Sequence, residues 1–297
     1  MLNSPLVDLP KPLAVVAHDA GGANQIIAML QANGGSAGIK AYMEGPALIL
    51  WQRAFPAHTL CITLENALEG SRSLITGTGW ASNLEFDAID VASNMGLQTA
   101  ALLDHWTNYE QRFVREGRTV WPNEFWVVDR YAFTIATQAF LEKSVKQWQD
   151  YYLKTQIQQI VPPASDSEEQ ALLYILEPAR SNWGQNRPGE FQALDYMLEN
   201  LPLLSLPEGV RILLRPHPSE NLDKYSDWLA QHADQKVALD NSSTLAEAIS
   251  QAHWVAGCES YALVVALASG RTVYCTLPPW APACRLPHEG LIHIKSL

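Results

Sequence analysis

Short apolar runs alternate with longer amphipathic segments along most of this 297-residue chain. A short apolar run bounded by turn residues favours a buried strand, and a longer run with helical periodicity favours a helix packed on a sheet. In the first half the pattern predicts strands at 13–17, 73–76, 99–103 and 124–128, weaker strands at 47–50 and 59–62, and helices at 24–32, 84–95 and, as one or two segments, 133–153. In the second half it predicts strands at 172–176, 211–214, 236–239, 253–256 and 272–275, and helices at 190–201, 225–232, 245–251 and 261–269. This alternation predicts an α/β protein with doubly wound parallel sheets.

A segment rich in proline, serine and acidic residues, 162–169, separates the two halves. Segments of this composition commonly link domains. We therefore predict two Rossmann-like domains facing a cleft, the first spanning residues 1–160 and the second residues 170–297.

The composition narrows the classes of function and the cellular setting. The formal net charge of −11 disfavours nucleic acid as a partner, because a phosphate backbone attracts basic surfaces. Apolar runs are all shorter than the roughly 18 to 20 residues of a membrane span, and residues 1–11 lack the features of a signal peptide. The four cysteines show neither Cys-x-x-Cys pairing nor close histidines, which disfavours a disulfide framework or a zinc site. We expect a cytoplasmic protein without a membrane span, a metal or another cofactor.

The segment Arg215-Pro-His-Pro218 directly follows the predicted strand at 211–214. Each proline fixes its own φ and disfavours helical conformation in the residue before it, so Arg215 and His217 are expected in a rigid, extended loop. Ligands of open α/β sheets bind at the carboxyl ends of strands, and arginine and histidine bind anions such as phosphate. The segment predicts a phosphate-binding loop or, alternatively, a surface loop whose prolines only end the strand.

The first predicted strand leads into His18-Asp19-Ala-Gly21-Gly22. The two glycines allow a ligand to approach the backbone, and the free N–H groups at the following helix start can bind an anion or a sugar hydroxyl. Asp19, beside His18, could act as a general base on a hydroxyl group. The alternative is that Asp19 caps its own helix while His18 bonds to the backbone.

Two further strand ends carry candidate residues. Thr78 lies between two glycines after the strand that precedes helix 84–95, where small residues either line a cleft or form a tight turn. Asp104 and His105 follow the next strand along the chain. Because parallel strands end at one edge of a sheet, we expect Asp104 on the same edge as Asp19. The alternative for Asp104-His105 is a surface turn with Trp106 packed beneath it.

Glu259 and Ser260 stand between a predicted strand and a predicted helix, at 253–256 and 261–269. The Ser260 hydroxyl and the first-turn N–H groups suit a phosphate. The Glu259 carboxylate suits the paired hydroxyls of a ribose. The alternative for Ser260 is an ordinary helix cap.

Ser242 and Ser243 form a polar turn between the arginine and histidine loop and the Glu259-Ser260 segment. Ser242 or Ser243 is the expected cap of the helix at 245–251.

Three of these segments, Arg215-Pro-His-Pro218, Ser242-Ser243-Thr244 and Gly257-Cys-Glu-Ser260, resemble the carboxyl-terminal half of GT-B-fold glycosyltransferases. The similarity covers about residues 205–278 and is greatest to the group with a His-Pro motif: sialyltransferases, polysialyltransferases, Kdo transferases and CDP-glycerol glycerophosphotransferases. UDP-N-acetylglucosamine 2-epimerases carry a similar segment. In the group, the motif histidine and serines at the later helix start contact the donor phosphate. This implies these roles for His217 and Ser260, and extends nucleotide binding to Ser242 or Ser243. The first half departs from the family, because His18-Asp19-Ala-Gly-Gly22 replaces the acidic pair followed by glycine of the sialyltransferases.

The resemblance implies a GT-B-like enzyme that moves a sugar or a polyol phosphate in surface-polysaccharide or glycoconjugate synthesis. The donor would be nucleotide-activated (CMP-, CDP- or UDP-linked), and the acceptor would be a hydroxyl group of a glycan or polyol. We expect inversion by direct attack, with Asp19 as the base, or Asp104 if Asp19 is structural. Arg215 and His217 would stabilise the leaving phosphate without a metal, since the sequence has no Asp-x-Asp pair. The alternatives are a nucleotide-sugar epimerase or hydrolase of the UDP-GlcNAc 2-epimerase type and a non-catalytic nucleotide-sugar-binding protein.

Overall fold

A computed structural model gives the fold and describes residues 5–162, 170–177, 180–217, 220–233 and 235–297. Pro218 and most of the predicted linker, 163–169, therefore lie outside the described residues. The chain divides into two compact units, Met1–Lys154 and Thr155–Leu297.

The first unit is an α/β unit with one parallel sheet. Its strands are β1 (Leu13–Ala17), β2 (Ile39–Met43), β3 (Ser73–Thr76), β4 (Gln98–Leu102), β5 (Val114–Arg115), β6 (Arg118–Thr119), β7 (Glu124–Val127) and β8 (Ser144–Gln147). Its helices are α1 (Ala20–Ala32), α2 (Gly45–Ala54), α3 (Leu64–Leu68), α4 (Leu84–Asn94), α5 (Arg130–Ala139) and α6 (Tyr151–Gln159), the last of which runs into the second unit. The described strands of the sheet are ordered β2-β1-β3-β4-β7-β8 and are all parallel, while β5 and β6 form a separate antiparallel hairpin.

The central strand β1 is apolar throughout because helices cover both of its faces. Leu13, Val15 and Ala17 pack into one core together with side chains of α1 and α2. Ala14 and Val16 pack into a second core together with side chains of α3 and α4. Side chains alternate between the two faces of a strand, so a strand buried on both faces has no polar positions.

The second unit repeats this design. Its strands are β9 (Ala171–Ile175), β10 (Arg211–Arg215), β11 (Val237–Leu239), β12 (Trp254–Gly257), β13 (Thr272–Cys275) and β14 (Leu291–His293), and its helices are α7 (Gly189–Glu199), α8 (Ser226–Gln231), α9 (Leu245–Gln251) and α10 (Tyr261–Ala268). The described strands form a parallel sheet ordered β11-β10-β9-β12-β13-β14. Over the part of the chain that the structure describes, no helix is both long and apolar enough to cross a membrane.

The predicted α/β class with doubly wound parallel sheets is confirmed, but several elements differ. The weak strand predicted at 47–50 is wrong, because these residues belong to α2, which buries Ala47 and Trp51 one helical turn apart and leaves Ile49 70% exposed. The weak strand at 59–62 is also absent from the described structure. The stretch 133–153 contains β8 as well as helices, and the edge strands β2 and β14 were not predicted.

The cap of α9 also differs from the prediction. The capping side chain is Thr244, whose hydroxyl accepts a 3.1 Å hydrogen bond from the N–H of Glu247. The Glu247 carboxylate in turn accepts hydrogen bonds from the N–H and the hydroxyl of Ser243. Ser242 and Ser243 therefore precede the cap and are not the cap itself.

Candidate functional site

Each sheet has a point at which the order of its strands reverses, because later strands are added on the opposite side of the first strand. In the first unit this switch point lies between the carboxyl ends of β1 and β3, because β2 lies on the other side of β1. In the second unit it lies between β9 and β12, because β10 and β11 lie on the other side of β9. Ligands of open α/β sheets bind at such switch points. Most of the predicted site residues follow one of these strands or its direct neighbour.

The loops at the first switch point are packed so closely that only glycine fits. A Cβ atom on Gly22 would lie 2.8 Å from the Cα atom of Gly77 in the loop after β3. A Cβ atom on Gly77 would lie 2.5 Å from a carboxylate oxygen of Glu85, and one on Gly21 would overlap the carboxylate of Asp104. These glycines therefore bring loop backbone and two carboxyl groups together at the start of α1.

Asp19 is held at this point by the neighbouring loop. It occupies the N-cap position of α1, but within the described chain its carboxylate accepts no hydrogen bond from the first turn of α1. Instead, Oδ1 lies 2.7 Å from Nδ1 of His18, and Oδ2 accepts a 2.8 Å hydrogen bond from the N–H of Trp80. The capping alternative for Asp19 is therefore wrong. The carboxylate is partly exposed, which makes it accessible to a substrate.

His18 connects Asp19 to the start of α2. A Cβ atom on Gly45, the first residue of α2, would lie 2.6 Å from Nε2 of His18, so the imidazole packs directly on this glycine. The contact leaves Nδ1 facing the Asp19 carboxylate. The pair is therefore a carboxylate–imidazole dyad of fixed orientation.

Glu85, on the first turn of α4, is a buried carboxyl group that the sequence did not single out. Its side chain accepts hydrogen bonds from the N–H groups of His18 (3.1 Å) and Gly79, which ties the loops after β1 and β3 together. Burial raises the pKa of Glu85, the two N–H donors lower it, and the negative charges of Asp19 and Asp104 raise it, so that the pKa lies at about 7. The group therefore changes protonation state near neutral pH.

Asp104 lies on the same sheet edge as Asp19, as predicted, because both follow parallel strands of one sheet and Asp104 contacts Gly21. Its Oδ1 accepts a 2.7 Å ion-paired hydrogen bond from the buried guanidinium of Arg112. Arg112 also donates to the hydroxyl of Thr78 (2.9 Å), which donates to the carbonyl oxygen of Leu102. Thr78 is thus buried in a structural network, and Arg112 compensates the charge of Asp104.

His105 lies beside this network. Its ring is 5.2 Å from the ring of Trp106 between centroids, and its Nδ1 lies 3.4 Å from the Thr107 hydroxyl. Trp106 is buried and donates a 2.8 Å hydrogen bond to Asp129, the capping residue of α5. Trp106 therefore anchors the turn, while Asp104 and His105 are only partly buried.

At the second switch point, Glu259 is surrounded by arginines. Its buried carboxylate accepts hydrogen bonds from Arg180 Nη1 (2.9 Å) and from the backbone N–H and the guanidinium of Arg285. Glu177, after β9, accepts from the N–H of Glu259 at 2.8 Å and pairs with Arg180. Burial opposes ionisation of Glu259, but the hydrogen bonds from Arg285 and the charge of Arg180 prevail and lower its pKa. The predicted ribose-binding carboxylate is thus the centre of an ion-paired network.

Ser260 caps α10, and its hydroxyl accepts a 3.2 Å hydrogen bond from the N–H of Ala262. Cys258, two residues before Ser260, is buried, and burial raises the pKa of its thiol to about 12. The thiol therefore stays protonated, and the polar groups of this loop are those of Glu259 and Ser260.

Arg215 and the two serines meet at the ends of β10 and β11. Arg215 Nη1 pairs with Asp240 and donates a 3.2 Å hydrogen bond to the carbonyl oxygen of Ser242. The hydroxyl of Ser242 donates to Asp240 at 2.6 Å, and that of Ser243 donates to Glu247. These contacts order the turn.

His217 is exposed just past the end of β10, and its N–H donates a 3.2 Å hydrogen bond to Glu220. This contact joins His217 to Glu220, just before the next helical segment. Its imidazole is on the surface of the second unit, at the carboxyl edge of the sheet.

The contacts of four charged side chains were not predictable from local sequence: Glu85, Arg112, Arg180 and Arg285. Each joins loops that are separated in sequence, from 8 residues for Arg112 and Asp104 to 79 for Arg180 and Glu259. The available signal for Glu85 was its place in the first turn of a helix that follows Gly77-Thr78-Gly79.

Solved structures of two kinds of enzyme resemble this chain. A UDP-GlcNAc 2-epimerase from Neisseria meningitidis bound to UDP-GlcNAc has 11% identity and a TM-score of 0.56, over 89% of this chain and 82% of that one. A UDP-GlcNAc 2-epimerase from Methanocaldococcus jannaschii, in complex with UDP-GlcNAc and UDP, has 9% identity and a TM-score of 0.57, over 89% of this chain and 83% of that one. The glycotransferase of kitacinnamycin has 12% identity and a TM-score of 0.52, over 94% of this chain and 83% of that one.

The fold is GT-B-like. Identities this low establish the fold alone, and it agrees with the two parallel sheets described above. No protein-family model matches the chain, and no curated protein matches its sequence. The chemistry must therefore be argued from the residues at the two switch points.

Proposed function

We propose that this protein is a nucleotide-sugar-dependent glycosyltransferase that transfers a sugar or a polyol phosphate from a nucleotide-activated donor to a hydroxyl acceptor in surface-polysaccharide or glycoconjugate synthesis. The observation that carries the proposal is the Asp19 carboxylate, which does not cap its helix and is aligned by His18 and the Trp80 N–H at a sheet switch point. A carboxylate held this way is suited to take a proton from a bound hydroxyl group.

In this proposal the first unit binds the acceptor. The exposed start of α1, at Ala20 and Gly21, offers N–H groups to an acceptor oxygen next to Asp19. His18 orients the Asp19 carboxylate through their 2.7 Å contact. Asp104 is the second candidate for the base, but its ion pair with Arg112 stabilises its charge and favours a positioning role.

The second unit binds the donor in this proposal. The His217 imidazole, the Arg215 guanidinium and the N–H groups at the start of α10 are the groups we assign to the donor phosphates. Ser242, Ser243 and Ser260 line the same sheet edge, and Glu259 is the residue assigned to the ribose, provided that the nucleotide displaces one of its arginines. Pro218 completes the His-Pro motif but lies outside the described residues.

The reaction then follows from these assignments. The acceptor oxygen attacks the anomeric carbon of the donor sugar as its proton passes to Asp19, and the bond between that carbon and the phosphate oxygen breaks with inversion. The electron pair stays on the leaving phosphate, whose charge Arg215, His217 and the α10 start stabilise. For transfer of a polyol phosphate the same hydroxyl attacks phosphorus instead, and the nucleoside monophosphate leaves.

A second candidate is a nucleotide-sugar 2-epimerase or hydrolase. The observation that favours it is Glu85, because a buried carboxyl group with a pKa of about 7 beside two further acids is suited to proton exchange without an acceptor. The resemblance in fold to the two UDP-GlcNAc 2-epimerases described above agrees with this candidate.

The test is to incubate the protein with CMP-, CDP- and UDP-linked donors, with and without an acceptor glycan, and to follow the donor by NMR. Glycosyl transfer requires the acceptor, produces free nucleotide and yields a new glycosidic linkage. Epimerisation changes the sugar configuration without acceptor and without loss of nucleotide. If every donor remains intact while a nucleotide still raises the melting temperature, the protein is a binding protein and the transferase proposal is wrong.

A further inference from the structure

A polar pocket of about 450 Å³ lies on the second unit, and none of its described lining residues is proposed to bind the nucleotide. One face of α7 forms its floor, and Trp280, from the loop after β13, forms one wall. The side chains on which the argument depends are Arg187, Gln192, Asp195, Tyr196, Glu199 and Trp280.

The Trp280 indole is fixed in orientation although it is 48% exposed. Its Nε1–H donates a 2.7 Å hydrogen bond to Oε1 of Gln192, and its ring packs edge-on against Tyr196, with centroids 5.7 Å apart. Gln192 is itself fixed, because its amide nitrogen donates 2.7 Å hydrogen bonds to the carbonyl oxygens of Asn182 and Arg187. With its polar atom satisfied by the protein, the indole presents hydrocarbon surface to the solvent. A side chain ordered before binding loses little entropy when a ligand packs on it.

The charges around Trp280 disfavour an anionic ligand. The Arg187 guanidinium pairs with Asp195, which also accepts a 2.7 Å hydrogen bond from Trp228. Glu199 adds a carboxylate, so the described lining of the pocket has no excess positive charge. Two exposed amides, Gln185 and Asn186, add neutral donors and acceptors at the rim.

We propose that this pocket binds an uncharged pyranose residue of an oligosaccharide, with one face of the sugar packed on Trp280 and its hydroxyl groups bonded to Glu199 and to the amides of Gln185 and Asn186. A pyranose has a face of C–H groups and an edge of hydroxyl groups, which matches a flat apolar ring with a polar rim. The site goes beyond the proposed function, because none of its described lining residues is among those assigned to the donor or to the acceptor hydroxyl. It would hold a glycan on the second unit whether or not the protein transfers sugar.

The test is titration of the full chain with maltotriose, cellotriose and tri-N-acetylchitotriose, followed by saturation-transfer NMR. We expect at least one trisaccharide to bind with a dissociation constant in the millimolar range or lower. Trp280→Ala should weaken that binding by about tenfold, which corresponds to the loss of one aromatic packing contact. Trp280→Phe, which keeps an aromatic face, should restore most of it. Phe133→Ala, which removes a 37% exposed aromatic ring from the first unit, is the matched control and should bind like the wild type.

Three results would overturn the inference. The first is that none of the trisaccharides binds the wild type at millimolar concentration. The second is that Trp280→Ala folds, as judged by its thermal unfolding, and binds with unchanged affinity. The third is that Trp280→Ala lowers the affinity for UMP or CMP but for none of the trisaccharides, which would make the pocket a nucleobase site. His217→Ala separates the two proposals, because it should weaken nucleotide binding and leave trisaccharide binding unchanged.

Discussion

At the scale of single residues, the first unit gathers acids that differ in their surroundings. Asp19 is partly exposed and bonded to His18 and a backbone N–H, Asp104 is paired with Arg112, and Glu85 is 2% exposed between two loops. Two carboxyl groups with different environments can take different roles in proton transfer. Burial is the largest cause of the raised pKa of Glu85.

Glu85 should make the stability of the protein depend on pH. Its folded-state pKa of about 7 lies above the ordinary value of 4.5, so the folded protein favours the protonated carboxyl group. The contribution of Glu85 to the free energy of unfolding is therefore fully present below about pH 4.5 and is lost as the pH rises through 7. The shift corresponds to a loss of about 3 kcal/mol in the free energy of unfolding. Glu85→Gln cannot ionise, so urea unfolding at pH 5 and pH 8 should give more similar free energies for this variant than for the wild type.

The matched control for Glu85 is Glu69→Gln, an exposed glutamate in the same unit. This control should retain the wild-type difference between pH 5 and pH 8. An equal difference in Glu85→Gln would show that the buried carboxyl does not titrate as described.

At the scale of secondary-structure elements, the structure depends on how loops meet at helix starts. At the start of α1, glycines let the loops after β1 and β3 touch. At the start of α9, the Thr244 hydroxyl accepts a hydrogen bond from the N–H of Glu247, and the Glu247 carboxylate accepts one from the N–H of Ser243. Both contacts place loop residues at the carboxyl edge of a sheet.

Gly22→Ala should destabilise the first unit. The new methyl group would lie 2.8 Å from the Cα of Gly77, and backbone cannot move aside as a flexible side chain can. Overpacking of this kind costs about 1 to 3 kcal/mol, which chemical denaturation would measure. Gln31→Ala, an exposed change near the end of the same helix, is the control and should leave the free energy of unfolding nearly unchanged. A wild-type stability for Gly22→Ala would contradict the close packing of the two loops.

Thr244→Ala should lower the free energy of unfolding by about 1 kcal/mol, because it removes the cap of α9. Ser243→Ala should cost less, since the backbone N–H of Ser243 still donates to Glu247. Thermal or urea unfolding of both variants compares them directly. If Ser243→Ala were the more damaging substitution, Ser243 would be the effective cap.

At the scale of the whole molecule, the sequence was sufficient to predict the α/β class and most central strands, because a strand buried on both faces is a continuous apolar run. The edge strands β2 and β14 were harder to predict. In β2 buried and partly buried residues alternate, and the three residues of β14 are only partly buried, so neither stands out as an apolar run.

Part of the candidate site was predictable because the central strands, and therefore their carboxyl ends, were predictable. Asp19, Asp104 and Ser260 follow strands and Arg215 ends one, so the rule that ligands bind at the carboxyl ends of strands locates them. Contacts between distant loops, such as that of Glu85 with His18 or that of Arg285 with Glu259, leave no local pattern in the sequence.

The central claim is that the first unit supplies the proton acceptor and the second unit binds the nucleotide. It is tested most directly by measuring turnover and nucleotide affinity for the same pair of variants, Asp19→Asn and His217→Ala, with Asp87→Asn on the exposed face of α4 as the control. Asp19→Asn should lower the rate by about a hundredfold or more and leave the nucleotide dissociation constant unchanged, because the amide keeps the shape of the carboxylate but takes no proton. His217→Ala should raise that dissociation constant about tenfold or more through the loss of a charge-assisted contact to phosphate, and Asp87→Asn should behave like the wild type. Full turnover by Asp19→Asn together with unchanged nucleotide affinity in His217→Ala would contradict the account.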